Sequence, residues 1–182
     1  MKNKDISEEL KQIIRDIPNF PKEDILFKDI TPIFAKAELC RKITDRIALN
    51  FPDVDAIAGI ESRGFFWGMS VAQKLNIPFV PIRKAGKLPY TTLSESYTLE
   101  YGMATIEIHQ DAIEPDWKVL IHDDLLATGG TALAAAKLVG QLGKVAGFSF
   151  LVELGFLNGR AKLEELAVEI DTLVYNKITN LF

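Results

Sequence analysis

Four short apolar runs, residues 56–60, 79–82, 119–122 and 148–152, alternate with stretches such as 65–75 and 132–142, whose apolar residues recur at helical spacing. Runs this short and this continuously apolar must be covered on both faces, which is how parallel strands joined by crossover helices are built. The pattern predicts an α/β fold: a mostly parallel, twisted sheet flanked by helices. With 182 residues, 48% hydrophobic and 25% charged, the chain can bury one continuous core and falls short of two full domains.

Around this frame the local signals are more varied. Ser7, then Glu8-Glu9, then Leu10, Ile13, Ile14 and Ile17 predict an opening helix with Ser7 as N-cap and an acidic first turn. Pro18 and Pro21 end it and leave residues 20–32 irregular, after which a helix covers about 38–49. Gly143 reads as the C′ glycine that closes the helix over 132–142. Residues 97–101 and 103–109 alternate in polarity about Gly102, as an antiparallel hairpin would. Residues 84–95 have neither period, and predict a mobile loop of the length used for lids.

Several function classes lose support from composition. A formal net charge of −4 offers no basic footprint for nucleic acid or anionic lipid, so a small anionic ligand needs a local basic site. One cysteine, Cys40, permits neither an intrachain disulfide nor a cysteine-based zinc cluster, which fits the cytosol. The opening Met1-Lys2-Asn3-Lys4-Asp5 lacks the apolar core of a signal peptide, so the chain is expected to stay where it is made. No apolar run approaches the ~20 residues that span a bilayer, and a membrane role is not expected.

Ligands of open α/β sheets bind beyond the carboxyl ends of the strands. Three such places are polar: Glu61-Ser62-Arg63-Gly64, Arg83-Lys84 with the loop that follows, and Asp123-Asp124-Leu125-Leu126-Ala127-Thr128-Gly129-Gly130-Thr131. The last joins an acidic pair to a small-residue loop that opens a helix. Gly129 and Gly130 let consecutive N–H groups, with the hydroxyls of Thr128 and Thr131, surround a phosphate at the positive end of that helix. Asp123 and Asp124 can accept from sugar hydroxyls or hold a hydrated Mg²⁺. A phosphorylated sugar suits both halves. A bare Gly-Gly-Thr would more simply be a turn and a helix cap, and it is the whole string after a buried strand that points to a ligand. A Walker loop is excluded, because Gly86-Lys87 continues into Leu88-Pro89. Ser62 and Arg63 at a helix start, and Arg83, Lys84 and Lys87 beside the loop, are cationic or donor groups for a second anion, although each alone is an ordinary surface residue. His122 reads as a strand-end residue with its polar edge satisfied, His109 as a surface residue, and Phe65, Phe66, Trp67 and Met69 as core or subunit interface.

Residues 119–131 resemble the phosphoribosyl pyrophosphate (PRPP) binding motif of the type I phosphoribosyltransferases. Together with Gly59-Ile60-Glu61-Ser62-Arg63-Gly64-Phe65, Arg83-Lys84-Ala85-Gly86-Lys87-Leu88-Pro89 and Ser96-Tyr97-Thr98-Leu99-Glu100-Tyr101-Gly102, they are similar in order and spacing to the adenine-specific branch of that family, over residues 20–175. The resemblance implies a homodimeric enzyme that turns adenine and PRPP into AMP and pyrophosphate in purine salvage. It implies that Mg²⁺ arrives mainly through PRPP and water, with no direct protein ligand assigned. By position, Ala127, Thr128, Gly129, Gly130 and Thr131 would hold the 5′-phosphate, and Asp123 and Asp124 the ribose hydroxyls. Ser62, Arg63, Arg83 and Lys87 would serve pyrophosphate, Leu26, Phe27 and Lys28 would recognise adenine, Glu100 would face the base as a catalytic carboxylate, and Tyr101 would belong to the lid.

The implied plan is a single phosphoribosyltransferase domain over 1–182, with the N-terminal helix and base-recognition segment in 1–35 and the lid loop and hairpin in 84–102. His122 stands where the branch commonly has an aliphatic residue, and Lys28 where an arginine can occur. Two other functions remain open at this level: transfer to hypoxanthine, guanine or xanthine, and a non-catalytic regulator that senses PRPP.

Overall fold

The computed structural model describes residues 3–23, 25–98 and 102–177. Its centre is a seven-stranded sheet in the order β5-β6-β4-β3-β7-β8-β9. Strands β3 (Ala56–Ile60), β4 (Phe79–Lys84), β7 (Lys118–Leu126), β8 (Lys144–Leu154) and β9 (Glu169–Asn176) run parallel. The hairpin β5 (Thr92–Thr98) and β6 (Met103–His109) is antiparallel and joins at β4.

The apolar runs form strands because both sides of the sheet are covered. On one side Ile121, Phe148 and Phe150 meet α5 (Gly130–Gly140) through Ala135, Leu138 and Val139. On the other, Ile57, Leu120 and Leu151 meet α1 (Asn3–Ile13), α3 (Ala37–Asn50) and α4 (Gly64–Leu75), including Leu10, Ile43, Ile47 and Trp67. Each strand offers alternate side chains to the two layers, so neither face tolerates a polar stripe. Going out from β3, chain order runs through β4 in one direction, while from β7 it runs through β8 and β9 in the other. The crevice between the carboxyl ends of β3 and β7 is therefore the switch point where such sheets bind ligands.

The structure alters several local expectations. Helix α1 begins at Asn3, so Ser7 lies within it rather than capping it. Residues 20–32 are not irregular throughout: β1 (Arg15–Pro18) pairs with β2 (Leu26–Asp29), and the short α2 (Thr31–Phe34) follows. Charge pairs across this hairpin, Arg15–Asp29 at 2.7 Å and Lys28–Asp16 at 2.6 Å, replace the apolar alternation by which a strand is usually recognised. The loop expected over 84–95 is shorter, because β4 extends to Lys84 and β5 begins at Thr92. Its connecting residues are tied to β6, with Gly86 N–H donating to Glu107 Oε2 at 3.0 Å and His109 Nε2 to the Pro89 carbonyl at 2.5 Å. Helix α5 starts at Gly130 and ends at Gly140, and Gly143 is not a left-handed C′ residue. A Cβ there would lie 2.9 Å from the Trp117 carbonyl, so close packing is what favours glycine. Helix α6 (Gly159–Glu164) and β9 have no counterpart in the sequence reading.

His122 departs furthest. It lies inside β7 rather than at its end, beside Ser149 of β8 and Gly59 of β3, and it is fully buried. Neither ring nitrogen has a hydrogen-bond partner, and the Ser149 hydroxyl is likewise unpaired. Burial pushes the imidazole down to about 4, the Ser149 backbone opposing only part of the effect. Below about pH 6.5 the unfolded chain takes up a proton that the folded chain refuses until about pH 4, so folding stability falls across that window. His122→Leu is expected to raise the unfolding free energy by roughly 1–3 kcal/mol near neutrality. Its advantage should widen by a further 2–3 kcal/mol or so as the pH falls to about 4.5. Urea unfolding of both proteins across this range measures the difference, and a constant gap would show that His122 titrates normally.

Candidate active site

Asp123 and Asp124 join the sheet to the site: β7 continues past the apolar run and carries both carboxylates before it reaches the loop. Asp124 is only 3% exposed, and its Oδ2 lies 3.0 Å from Arg63 Nε. Asp123 Oδ1 accepts the Asp124 N–H at 2.8 Å. Burial and the neighbouring Asp124 carboxylate raise Asp123 well above the usual carboxylate range. Burial also raises Asp124, with Arg63 pulling in the opposite direction. An acidic pair held this way has a strong demand for hydroxyl donors or positive charge.

The loop that follows reaches α5 through Gly129, whose φ of +77° places it in the left-handed region. No side chain caps this helix, so Thr131 is not spent as a cap. The orphan N–H groups of the first turn, the Thr128 and Thr131 hydroxyls and Asp123 surround a cleft of about 60 Å³, which extends along residues 125–132. A single compact anionic group fits that space better than a purine.

Across the crevice, α4 starts hard against β7. A Cβ on Gly64 would lie 2.5 Å from the His122 carbonyl oxygen, and this approach brings Arg63 to Asp124. The Arg63 guanidinium also sits 5.2 Å from the centre of the Phe27 ring, within cation–π range. Phe27, Arg63 and Asp124 thus meet, linking the N-terminal hairpin to the switch point. Leu26 and Lys28 point the other way and line a separate cleft of about 230 Å³ with Asp16, Val152 and Val174. The triplet expected to recognise adenine is therefore split, with the Phe27 ring on the crevice side and the Leu26 and Lys28 side chains on the other.

Arg83 is held rather than free. Its Nε and one terminal nitrogen contact Glu61 at 3.1 and 3.3 Å, and its other terminal nitrogen donates to the Lys87 carbonyl at 3.0 Å. Lys84 N–H also donates to Glu61, at 3.1 Å. Burial disfavours the Glu61 carboxylate, but hydrogen bonds from Arg83 and Lys84 outweigh it and hold the group below its ordinary value. Ser62 and the Lys87 side chain are exposed at the rim. Sequence reasoning placed Glu61 in a polar turn but gave it no role; the signal was an acid closing an apolar strand whose parallel neighbour ends in Arg83-Lys84. Glu100 and Tyr101 lie outside the described residues. Among the described residues no three His, Cys, Asp or Glu side chains converge as a metal cage. The carboxylate oxygens of Asp123 and Asp124 are nevertheless the donor chemistry that suits a partly hydrated Mg²⁺ carried by a polyphosphate.

Comparison with known proteins identifies the family. Residues 28–155 match the phosphoribosyl transferase domain. An adenine phosphoribosyltransferase of Cytophaga hutchinsonii is 48% identical over 172 residues, covering 93% of this chain and 95% of that protein. The crystal structure of adenine phosphoribosyltransferase from Rhodothermus marinus superposes with a TM-score of 0.90 at 49% identity, covering 95% of this chain and 99% of that one. The Saccharomyces cerevisiae enzyme, complexed with adenine and an imino-altritol bisphosphate, gives 0.87 at 42% identity, with 93% and 99% covered. With a domain match across most of the sheet and near-complete coverage by such relatives, the chain belongs to the phosphoribosyltransferase family, in its adenine phosphoribosyltransferase branch.

Proposed function

We propose that this protein joins adenine to PRPP to give AMP and pyrophosphate, a purine-salvage reaction. The observation that carries this reading is the switch-point crevice, where the acidic end of β7 and the uncapped start of α5 face Arg63, itself laid over the Phe27 ring. The 5′-phosphate is received by Ala127, Thr128, Gly129, Gly130 and Thr131, whose N–H groups and hydroxyls need no rearranged cap. Asp123 and Asp124 accept from the ribose hydroxyls, which supply the donors that their burial demands. Phe27 flanks the base, with main-chain groups at Leu26 and Lys28 reading its polar edge. Ser62, Arg63, Arg83 and Lys87 receive the pyrophosphate end.

In the reaction a bond forms from adenine N9 to the anomeric carbon as the bond from that carbon to the pyrophosphate oxygen breaks. The electron pair leaves with pyrophosphate, and the N9 proton passes to water or to the departing pyrophosphate. Mg²⁺, when bound through PRPP and water, neutralises part of the leaving group's charge. The protein supplies position and electrostatics: carboxylates fix the sugar, arginines receive developing negative charge, and Glu61 keeps Arg83 aimed. In the same reading Glu100 is the carboxylate assigned to the imidazole edge of the purine and to handling a proton, and Tyr101 is assigned to the lid.

The same reading includes a cytoplasmic homodimer. No described helix is long and apolar enough to cross a membrane. Phe34, Phe66 and Met69 remain exposed around buried Trp67, an apolar face suited to a second copy.

AMP formation from adenine, PRPP and Mg²⁺ is the primary test, run beside hypoxanthine and guanine. Activity should require adenine and fall roughly 100-fold or more in Asp123→Asn/Asp124→Asn; preference for another base, or full activity in the variant, would overturn the substrate or site assignment. Glu100→Gln is expected to lower turnover about tenfold or more, and unchanged turnover and adenine affinity would remove that residue from the mechanism. Sedimentation equilibrium should give twice the chain mass, whereas a monomer that is fully active would end the dimer reading.

A further inference from the structure

The loop assigned to the 5′-phosphate is built from small residues, so its own side chains do little to fix its shape. Directly behind it lies Gly159, the first residue of α6. A Cβ on Gly159 would overlap the Ala127 carbonyl oxygen and stand 2.8 Å from the Gly129 nitrogen and 2.9 Å from the Thr128 carbonyl carbon. A Cβ on Gly129 would in turn lie 2.5 Å from the Gly159 carbonyl oxygen. Two glycine backbones therefore meet face to face, and one of them is part of the loop.

The wall is anchored by the next residue. Arg160 Nε and one terminal nitrogen grip the carboxylate of Glu153 at 2.9 and 2.6 Å, and Glu153 is 3% exposed. The remaining guanidinium contacts run to the Ile170 carbonyl at 3.2 Å and the Thr172 hydroxyl at 3.4 Å, both on β9. Glu153 sits in register with Leu126, the last residue of β7 before the loop. The clamp thus ties the start of α6 to the strand ends that launch the phosphate loop.

We propose that Gly159, held by the Arg160–Glu153 clamp, is a positioning element that sets the conformation of the loop 127–131 and thereby its affinity for the 5′-phosphate of the sugar. The proposal rests on the assignment of that loop to the phosphate. Gly159 touches no substrate in this scheme; it acts by excluding every loop conformation in which the backbone N–H groups move back from the cleft. Hydrogen bonds to an anion require donor distances near 2.7–2.9 Å or so, and a methyl at position 159 displaces the loop by more than that tolerance. The pyrophosphate end, gripped by groups at the ends of β3 and β4, is left as it was.

Calorimetric titration with ribose 5-phosphate and, separately, with pyrophosphate and Mg²⁺ distinguishes the two ends. Gly159→Ala should weaken ribose 5-phosphate at least about tenfold while pyrophosphate binding stays within about twofold. The paired change Glu153→Met/Arg160→Met removes the clamp without leaving a buried charge alone, and should act the same way; it carries the test if Gly159→Ala does not fold. Ribose 5-phosphate binding equal to wild type, or equal losses for both ligands together with a lowered Tm, would overturn the proposal. Thr131→Val serves as the separate check on the underlying assignment: if it leaves ribose 5-phosphate binding unchanged, the loop is not the phosphate site and the assignment itself fails.

Discussion

Gly64 lies so close to the carbonyl of His122 that no side chain fits between α4 and β7. That backbone-on-backbone contact decides what the crevice can be. It sets Arg63 at the mouth of the switch point, within ion-pair distance of Asp124 and over the ring of Phe27. Any larger residue at position 64 would push the helix away from the strand, and Phe27, Arg63 and Asp124 would part. Arg63 could not then offset the burial of Asp124, and a buried carboxylate without its cation is costly. The site's electrostatics thus depend on a steric condition some residues away from any reacting atom.

The chain as a whole is acidic, yet its proposed ligands are among the most anionic of small metabolites. The two are reconciled by pairing. Arg63 rests on Asp124 and Arg83 on Glu61, so neither guanidinium is a bare charge. Pairing stops these arginines from folding back at random and fixes the direction of their remaining donors. It also keeps the surface from presenting the broad positive field that would attract nucleic acid. In the proposed function, selectivity for a compact polyphosphate comes from donor geometry, backed by helix N-termini that add positive potential over a short range.

Much of this was legible in the sequence, for identifiable reasons. The central strands declared themselves because both their faces are buried and their runs are continuously apolar. The turn from β7 into α5 was legible as a candidate ligand site because an acidic pair, two glycines and a threonine between a buried strand and a helix have few purely structural explanations. What escaped notice depends on partners distant in sequence. Strand β9 carries Asp171, which is satisfied 3.1 Å from Arg46 of α3, so its polarity disguised a sheet strand. The β1–β2 hairpin is stitched by charges rather than by an apolar stripe. Glu61 had no assignable role until folding set Arg83 beside it.

His122 shows the opposite limit. A histidine at the end of an apolar run reads as a residue whose ring reaches a partner or solvent, and only the tertiary layers reveal that both nitrogens are enclosed without one. Its position explains why the cost is tolerated. Its main-chain carbonyl is the surface on which Gly64 docks, and its backbone lies between the two strands that frame the crevice. What the Gly64 contact uses at 122 is the strand's main chain, pressed against α4, and the side chain on the buried face takes no part in it. The imidazole is held unprotonated at neutral pH, and the penalty it carries falls on stability rather than on the geometry of the carboxylates that follow it.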